Sequence, residues 1–131
     1  MHGTGRNSQN TFLEKFFNGK RVLVTGHTGF KGSWLALWLN SLGASVTGFS
    51  LPPPTQPSHF FMVSLGDHIR HIEGDIRELQ ALHQAFRKTE PEIVFHLAAQ
   101  AIVRDSYEDP KHAFDVNVGG TVNVLEAIRS C

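Results

Sequence analysis

Three glycines follow a short apolar segment at intervals of three residues, and together they have the chemistry of a phosphate-binding turn. Residues 22–24 are Val-Leu-Val, a run that suits a strand buried on both faces, and Gly26, Gly29 and Gly32 come directly after it. A phosphate can approach backbone N–H groups only where no Cβ stands in the way. The spacing therefore predicts a turn that binds the pyrophosphate of a dinucleotide, with a tight turn that binds nothing as the alternative.

The residues around these glycines fit the same chemistry. Thr28 adds a hydroxyl that can donate to a phosphate, and Gly32 lets the following helix pack close to the sheet. The positive end of that helix then faces the phosphates. Lys31 stands where its ammonium group can reach a phosphate oxygen, and a solvated lysine explains the same position equally well.

The apolar pattern predicts the elements that must position this turn. Apolar residues recur at helical spacing from Phe30 to Leu42, and Gly43 ends that helix. Trp34 and Trp38 lie one turn apart on it, and packing against the sheet explains them better than stacking on a ligand. Further strands are predicted over residues 45–49, 69–72 and 92–99, and further helices over residues 79–86 and 114–128.

Two segments carry little regular secondary structure in this prediction. Residues 1–11 are polar and contain glycine, which indicates a flexible tail ending near Phe12. Residues 51–58 contain four prolines, which exclude a strand or a helix interior and predict a loop. Phe60, Phe61, Met62 and Leu65 then indicate a short covering helix.

The residue that follows the second strand decides cofactor preference in a fold of this kind. An acidic residue there holds the ribose 2′-hydroxyl, and a basic residue accommodates a 2′-phosphate. Here the residue is Ser50, which can bond to a hydroxyl, and no Arg or Lys occurs between Lys31 and Arg70. The sequence therefore predicts NAD rather than NADP.

Alternating strands and helices predict an α/β fold, the Rossmann-type doubly wound parallel sheet, of which about four strands with their crossover helices are present. Residues 12–131 would form a partial NAD-binding domain. Small residues at the carboxyl end of the fourth strand, Ala98 and Ala99, leave space for a flat ring at the switch point between strands one and four.

Composition excludes several other classes. Lys plus Arg number 12 and Asp plus Glu number 12, so no net charge recruits nucleic acid or an anionic membrane. The single cysteine, Cys131, excludes an internal disulfide, and no apolar run has the length of a membrane span or a signal peptide, which predicts a cytoplasmic protein. His68 and His71 would point to opposite faces of a strand, so no metal site is predicted.

Four stretches carry a resemblance to a known family. They are residues 24–35 (Val-Thr-Gly-His-Thr-Gly-Phe-Lys-Gly-Ser-Trp-Leu), 48–55 (Gly-Phe-Ser-Leu-Pro-Pro-Pro-Thr), 74–77 (Gly-Asp-Ile-Arg) and 95–100 (Phe-His-Leu-Ala-Ala-Gln). In this order they resemble the amino-terminal part of the CDP-glucose 4,6-dehydratases, which belong to the extended short-chain dehydrogenase/reductase superfamily. The resemblance extends over residues 17–130, and its most discriminating parts are Lys31-Gly-Ser-Trp and the three consecutive prolines.

The resemblance implies a reaction and a cofactor site. Such enzymes use bound NAD to take a hydride from C4 of CDP-glucose, eliminate water across C5 and C6, and return the hydride to C6, giving a 4-keto-6-deoxy sugar for surface polysaccharide. Asp75 would accept from the adenine amine, or cap a helix beginning at Arg77, or do both. The predicted cofactor-binding residues are Gly26, Thr28, Gly29, Phe30, Lys31, Gly32, Ser50, Asp75, Ile76, Leu97, Ala98, Ala99 and Gln100.

The family's catalytic pair is a Tyr and a Lys four residues later on one helix. Tyr107 and Lys111 have that spacing, but Pro110 biases Asp109 away from helical geometry and the family's pair lies further along the chain. We therefore predict no catalytic residue within these 131 residues and regard the chain as an amino-terminal fragment that lacks the substrate domain. The resemblance also implies a homodimer through the last helix and a structural or water-binding role for Asn117 behind the active site.

Two alternatives stay open at this stage. One is another enzyme of the extended superfamily, such as a sugar-nucleotide epimerase, which usually has an acidic residue at the position of Ser50 and no triple proline. The other is a nucleotide-binding module without enzymatic activity, built on half of a Rossmann fold.

Overall fold

The structure, a computed structural model, describes residues 8–53 and 65–131. Helix α1 covers Ser8–Phe17, strand β1 Arg21–Thr25, helix α2 Phe30–Ser41, strand β2 Ser45–Ser50 and strand β3 Arg70–Glu73. Helix α3 covers Leu79–Thr89, strand β4 Ile93–His96, helix α4 Val103–Glu108, helix α5 Pro110–Phe114 and helix α6 Gly120–Arg129. A 3₁₀ turn, Leu65–Asp67, precedes β3, and a π-helical turn, Asp115–Gly119, joins α5 to α6.

The four strands form one parallel sheet in the order β3-β2-β1-β4. Val24 of β1 lies opposite Gly48 of β2 and Phe95 of β4. Strand β1 lies between β2 and β4, and every residue of it after Arg21 is buried, as its apolar run predicts. The predicted Rossmann-type fold class is confirmed.

Two apolar cores cover the two faces of the sheet. Val22, Val24 and Val46 pack with Ala36 and Leu39 of α2 on one face. On the other face Leu23 and Phe49 pack against α3 and α6 through a set that includes Leu82, Phe86, Val124 and Ala127. The alternation of Val22, Leu23 and Val24 between the two cores follows from the two-residue repeat of a strand.

Helix α2 begins at the predicted Phe30 and ends at Ser41, one residue before the predicted Leu42, but its two tryptophans do not pack as predicted. Gly43 has φ +87° and ends the helix in the left-handed conformation that favours glycine. Trp34 and Trp38 are each about half exposed, at 51% and 50%. The buried face of α2 instead consists of Gly32, Ser33, Ala36 and Leu39. Small residues bring this side of the helix close to the sheet, and the two tryptophans lie on the outer side.

The amino-terminal segment and the segment before β3 differ in how they compare with the sequence predictions. Helix α1 begins at Ser8, within the range of residues 1–11 for which the sequence predicts a flexible tail. Phe12 and Phe16 are exposed, and only Phe17 of this helix packs against the core. The predicted covering helix at Phe60, Phe61 and Met62 lies outside the described residues, whereas Leu65 is buried in the 3₁₀ turn. Of the described residues, no helix has the length and hydropathy needed to cross a membrane.

Candidate nucleotide-binding site

The glycine turn leaves β1 at the carboxyl edge of the sheet. Gly26 has φ +78°, and its N–H donates to the carbonyl of Phe49 at the end of β2 at 3.0 Å. Gly29 donates back to the carbonyl of Gly26 at 3.1 Å, which closes the turn before α2 begins. The turn is therefore fixed to β2 on one side and opens into α2 on the other.

Each glycine of the turn meets different surroundings. A Cβ on Gly26 would lie 2.7 Å from the backbone nitrogen of Ala98, and a Cβ on Gly32 would overlap the carbonyl of Gly26. These two positions allow the close backbone approach that the sequence predicts for them. Among the residues that the structure describes, a Cβ on Gly29 would meet only the carbonyl oxygen of Gly26, at 3.4 Å, so these residues leave open space in front of the turn.

The start of α2 offers the positive end of a helix to this open space. The N-cap residue Gly29 makes no side-chain cap, and amides of a first helical turn have no carbonyl partner within the helix. Phe30 is 70% exposed and Lys31 is exposed beside it. An anion in front of Gly29 would thus meet the helix N-terminus, with the Lys31 ammonium near the same end.

Thr28 and Ser50 are joined in a way that changes the predicted role of each. Both are buried, their hydroxyl oxygens lie 2.9 Å apart, and the Thr28 hydroxyl donates to the carbonyl of Leu51 at 2.9 Å. Since a hydroxyl has one proton, Ser50 must donate to Thr28. The Thr28 proton is therefore directed away from the predicted phosphate contact, and Ser50 retains lone pairs that can accept from a hydroxyl.

Asp75 does not cap the helix that follows it. Its carboxylate accepts from the backbone N–H of Arg77 at 2.9 Å and from the Arg77 guanidinium at 2.7 Å, whereas α3 begins at Leu79 without a side-chain cap. The Arg77 side chain holds the pKa of Asp75 below its usual range through these hydrogen bonds. Ile76 is buried in the core on the α3 side, so its side chain supports the edge of the site rather than facing it.

The loop after β4 is held against the π-helical turn. Gln100 donates its backbone N–H to the Asn117 side-chain oxygen at 2.8 Å, and the Asn117 amide donates to the Gln100 carbonyl at 3.1 Å. Leu97 packs against the core under α2, Ala98 packs against the opposite core, and Ala99 is exposed. The loop therefore spans the sheet edge between the two helical layers.

The structure thus brings most of the predicted residues to one edge of the sheet. The glycine turn, Ser50 and the loop of residues 97–100 follow β1, β2 and β4, and parallel strands end at the same edge. Tyr107 lies near the end of α4 and Lys111 lies in α5, so the two residues do not share one helix. Between the two helices Asp109 has φ −139° and ψ 77°, the non-helical geometry predicted for the residue before Pro110.

A buried histidine that the sequence did not single out lies inside the turn. His27 is fully buried, its ring lies over Gly48, and its Nε2 is 2.6 Å from Nδ1 of His71 on β3. Burial, with a smaller contribution from the His71 charge, lowers the pKa of His27 to about 3. This neutral side chain ties the turn to the outer strand, and no sequence pattern pointed to it.

Two further findings concern possible sites elsewhere in the described residues. Among residues 8–53 and 65–131, no cluster of three His, Cys, Asp or Glu side chains could hold a metal ion. A cavity of about 510 Å³ lies at the opposite, amino edge of the sheet, where Arg21, Arg70 and Lys88 are among its lining residues. The glycine turn is therefore a separate surface from that cavity.

A comparison with family models decides the classification of the chain. A model described as GDP-mannose 4,6 dehydratase matches residues 23–131. The chain belongs to this family. The matched range begins in β1 and includes the glycine turn, Ser50 and the loop after β4, which are the features of the site described above.

Individual relatives of the chain agree with this classification. The chain is 52% identical to the CDP-glucose 4,6-dehydratase of Salmonella typhimurium over 116 residues, which cover 88% of the chain and 32% of the relative. It is 38% identical to the CDP-paratose 2-epimerase of Salmonella typhi over 112 residues, 83% of the chain and 32% of the relative. The predicted resemblance to CDP-glucose 4,6-dehydratases is confirmed, and the chain spans about a third of these relatives' length.

Two solved structures resemble this chain over most of its length. An epimerase from Methanothermobacter thermautotrophicus superposes with a TM-score of 0.79 and 31% identity, over 92% of this chain and 34% of that one. The UDP-glucose 4-epimerase of Thermus thermophilus, solved as a complex with NAD, superposes with a TM-score of 0.72 and 37% identity, over 84% of this chain and 34% of that one.

Proposed function

We propose that the chain is the NAD-binding part of a sugar-nucleotide 4,6-dehydratase that converts CDP-glucose to CDP-4-keto-6-deoxyglucose. The observation that carries the proposal is that, among the described residues, a Cβ on Gly29 would contact only the Gly26 carbonyl, at the uncapped start of α2, while the preceding residue Thr28 is bonded to Ser50. The 52% identity to a CDP-glucose 4,6-dehydratase supports the choice of substrate.

The residues at this edge fit NAD in charge and hydrogen-bonding chemistry. The glycine turn and the start of α2 would hold the pyrophosphate, with Lys31 at the same end. Ser50 donates its proton to Thr28, so it can accept from a ribose 2′-hydroxyl but offers no donor to a 2′-phosphate. When bound, NAD supplies the hydride acceptor and donor of the reaction, and these residues bind and orient it.

Binding rather than turnover is the activity proposed for these 131 residues. The chain has one tyrosine, Tyr107, which is 85% exposed on a helix separate from Lys111. The Tyr and Lys of the family's active site are therefore not supplied by this pair. Measurable conversion of CDP-glucose by the purified chain would contradict this part of the proposal.

Calorimetric titration with NAD and NADP tests the cofactor site. We expect NAD to bind at least about 10-fold more tightly than NADP, because a 2′-phosphate finds no donor at Ser50. Gly29→Val should weaken NAD binding by about 100-fold or more, since its side chain fills the space before the turn.

The matched control for that titration is Gly119→Ala. Gly119 has φ −61° in the helical run before α6, and a Cβ there would meet nothing within 4 Å. We expect this variant to keep the affinity for NAD. A folded wild-type chain that binds neither nucleotide, or a Gly29→Val variant that binds as the wild type does, would refute the assignment.

The last helix is proposed to pair with a second copy of the chain. Val118, Val122, Leu125 and Ile128 are exposed by between 43% and 60% and follow one another at intervals of three or four residues. Such a stripe on one helical face is apolar surface that association would remove from water. Sedimentation should show a dimer for the wild type and a monomer for Leu125→Asp, and a monomeric wild type would exclude this interface.

A further inference from the structure

A line of hydrogen bonds crosses the sheet edge behind the glycine turn. The hydroxyl oxygen of Thr25, at the end of β1, lies 2.6 Å from Nδ1 of His96 at the end of β4. Nε2 of His96 lies 3.0 Å from the hydroxyl of Thr121 on α6. Thr121 in turn lies 2.6 Å from the carbonyl of Asn117 in the π-helical turn. Four residues from four separate segments are thereby joined.

The Thr25 end of this line fixes the role of Nδ1. The Thr25 hydroxyl oxygen accepts from the backbone N–H of Ala98 at 3.1 Å and from that of Leu97 at 3.1 Å, the latter shared with the Thr25 carbonyl. Backbone N–H groups can only donate, so they use the acceptor capacity of the hydroxyl. Its single proton is left for His96, and Nδ1 of His96 must accept.

The Thr121 end fixes the role of Nε2 independently. The Asn117 carbonyl can only accept, so the Thr121 hydroxyl donates its one proton to it. Thr121 can then only accept from His96, which requires a proton on Nε2. Both ends of the line therefore require the same state of His96, the neutral ring with its proton on Nε2.

We propose that His96 is a positioning residue that, in this single tautomer, holds the loop of residues 97–100 against the glycine turn. Thr25 links His96 to this loop, because its hydroxyl donates to His96 and accepts from the amides of Leu97 and Ala98. The backbone of Ala98 in turn lies where a Cβ on Gly26 would be only 2.7 Å away. The effect on nucleotide affinity rests on the function proposed above, whereas the tautomer does not.

The surroundings of His96 favour the neutral ring. The hydroxyls of Thr25 on β1 and of Thr121 on α6 contact its two ring nitrogens, and the π-helical turn supplies the Asn117 carbonyl to Thr121. The charged residues of those elements pair elsewhere: Arg21 with Glu92, Asp115 with Lys111, and Glu126 with Arg129. Burial lowers the pKa of His96, so the line is complete at neutral pH and is broken when acid places a proton on Nδ1.

Nitrogen-15 NMR of the unliganded chain tests the tautomer directly. At pH 7.5 we expect His96 to show a protonated Nε2 and an unprotonated Nδ1, without averaging between tautomers. On acidification, the amide signals of Leu97 and Ala98 should shift with the same midpoint as the His96 ring. A ring protonated on Nδ1, a mixture of tautomers, or amide signals that ignore the His96 titration would overturn the proposal.

Paired threonine variants separate positioning from general packing. Thr25→Val keeps the shape of the side chain but removes the hydroxyl, so His96 should lose its fixed tautomer and NAD affinity should fall by about 10-fold. Thr25→Ser restores the hydroxyl and should recover the tautomer and most of the affinity. Equal behaviour of the two variants would contradict the proposal.

A third variant covers the case in which Thr25→Val does not fold. Thr121 is only partly buried, and Thr121→Val removes the acceptor of the His96 Nε2 proton. This variant should fold and show a mixture of His96 tautomers, and an unchanged single tautomer would count against the line. If the wild type shows the expected tautomer but binds no NAD, the function proposed above fails while the hydrogen-bond line stands.

Discussion

Gly26→Ala is expected to lower the free energy of unfolding by about 2–5 kcal/mol, since a left-handed backbone costs a non-glycine residue about 1–2 kcal/mol and overpacking adds about 1–3 kcal/mol. Gly26 has φ +78°, and its new Cβ would lie 2.7 Å from the nitrogen and 2.8 Å from the Cα of Ala98. Those are backbone atoms tied into the end of β4, so no side-chain rotation can relieve the overlap. Urea unfolding followed by circular dichroism measures the loss.

Gly19→Ala is the matched control for the contact. Gly19 has nearly the same φ, +77°, but a Cβ there would meet nothing within 4 Å. Its alanine variant should therefore lose only the conformational part, about 1–2 kcal/mol. Equal losses at Gly19 and Gly26 would show that contact between the new Cβ and Ala98 adds nothing to the cost of the Gly26→Ala substitution.

The sheet could be predicted because its strands carry local signals. Strand β1 is a continuous apolar run followed at once by glycine, and α2 shows a helical repeat that ends at Gly43. These signals depend on neighbours within one element, where periodicity and turn residues act. The switch point between strands one and four was predicted from the doubly wound fold class rather than from a local signal, and the observed order β3-β2-β1-β4 agrees with it.

The orientation of α2 could not be read from the same repeat. This helix is apolar on more than one side, so its pattern alone did not indicate which side meets the sheet. Contact geometry made the choice, because Gly32 must approach the carbonyl of Gly26 and its small neighbour Ala36 lies on the same side. Trp34 and Trp38 therefore point outward, contrary to the sequence prediction.

The hydrogen bonds that shape the site were beyond sequence reasoning for a different reason. Thr25 and His96 are 71 residues apart, and His27 and His71 are 44 apart. Each is an ordinary polar residue within its own segment, and only strand pairing brings the partners together. Asp75 is the converse case, because its predicted role as a helix cap rested on neighbouring residues alone. In the structure its carboxylate binds Arg77 instead, and α3 begins at Leu79, two residues after the predicted start at Arg77.

Acid is expected to destabilise the fold through His27. The folded chain keeps this ring neutral because burial lowers its pKa to about 3, whereas an unfolded histidine titrates at about 6.5. Between these values the unfolded chain binds a proton that the folded chain excludes. Stability is therefore highest above pH 6.5 and falls with pH by up to about 1.4 kcal/mol per unit, or roughly 3 kcal/mol by pH 4.

The slope of stability with pH, rather than stability itself, identifies His27 as the source. His27→Gln removes the titrating ring, so its free energy of unfolding should vary much less between pH 7 and pH 4.5, even if the variant is less stable throughout. His68→Gln removes an exposed histidine from the same region and should keep the wild-type slope. His96 adds a smaller acid loss that both variants retain, because its pKa is lowered as well. A His27→Gln variant with the full wild-type slope would show that the buried ring beneath the glycine turn is not what makes the fold sensitive to acid.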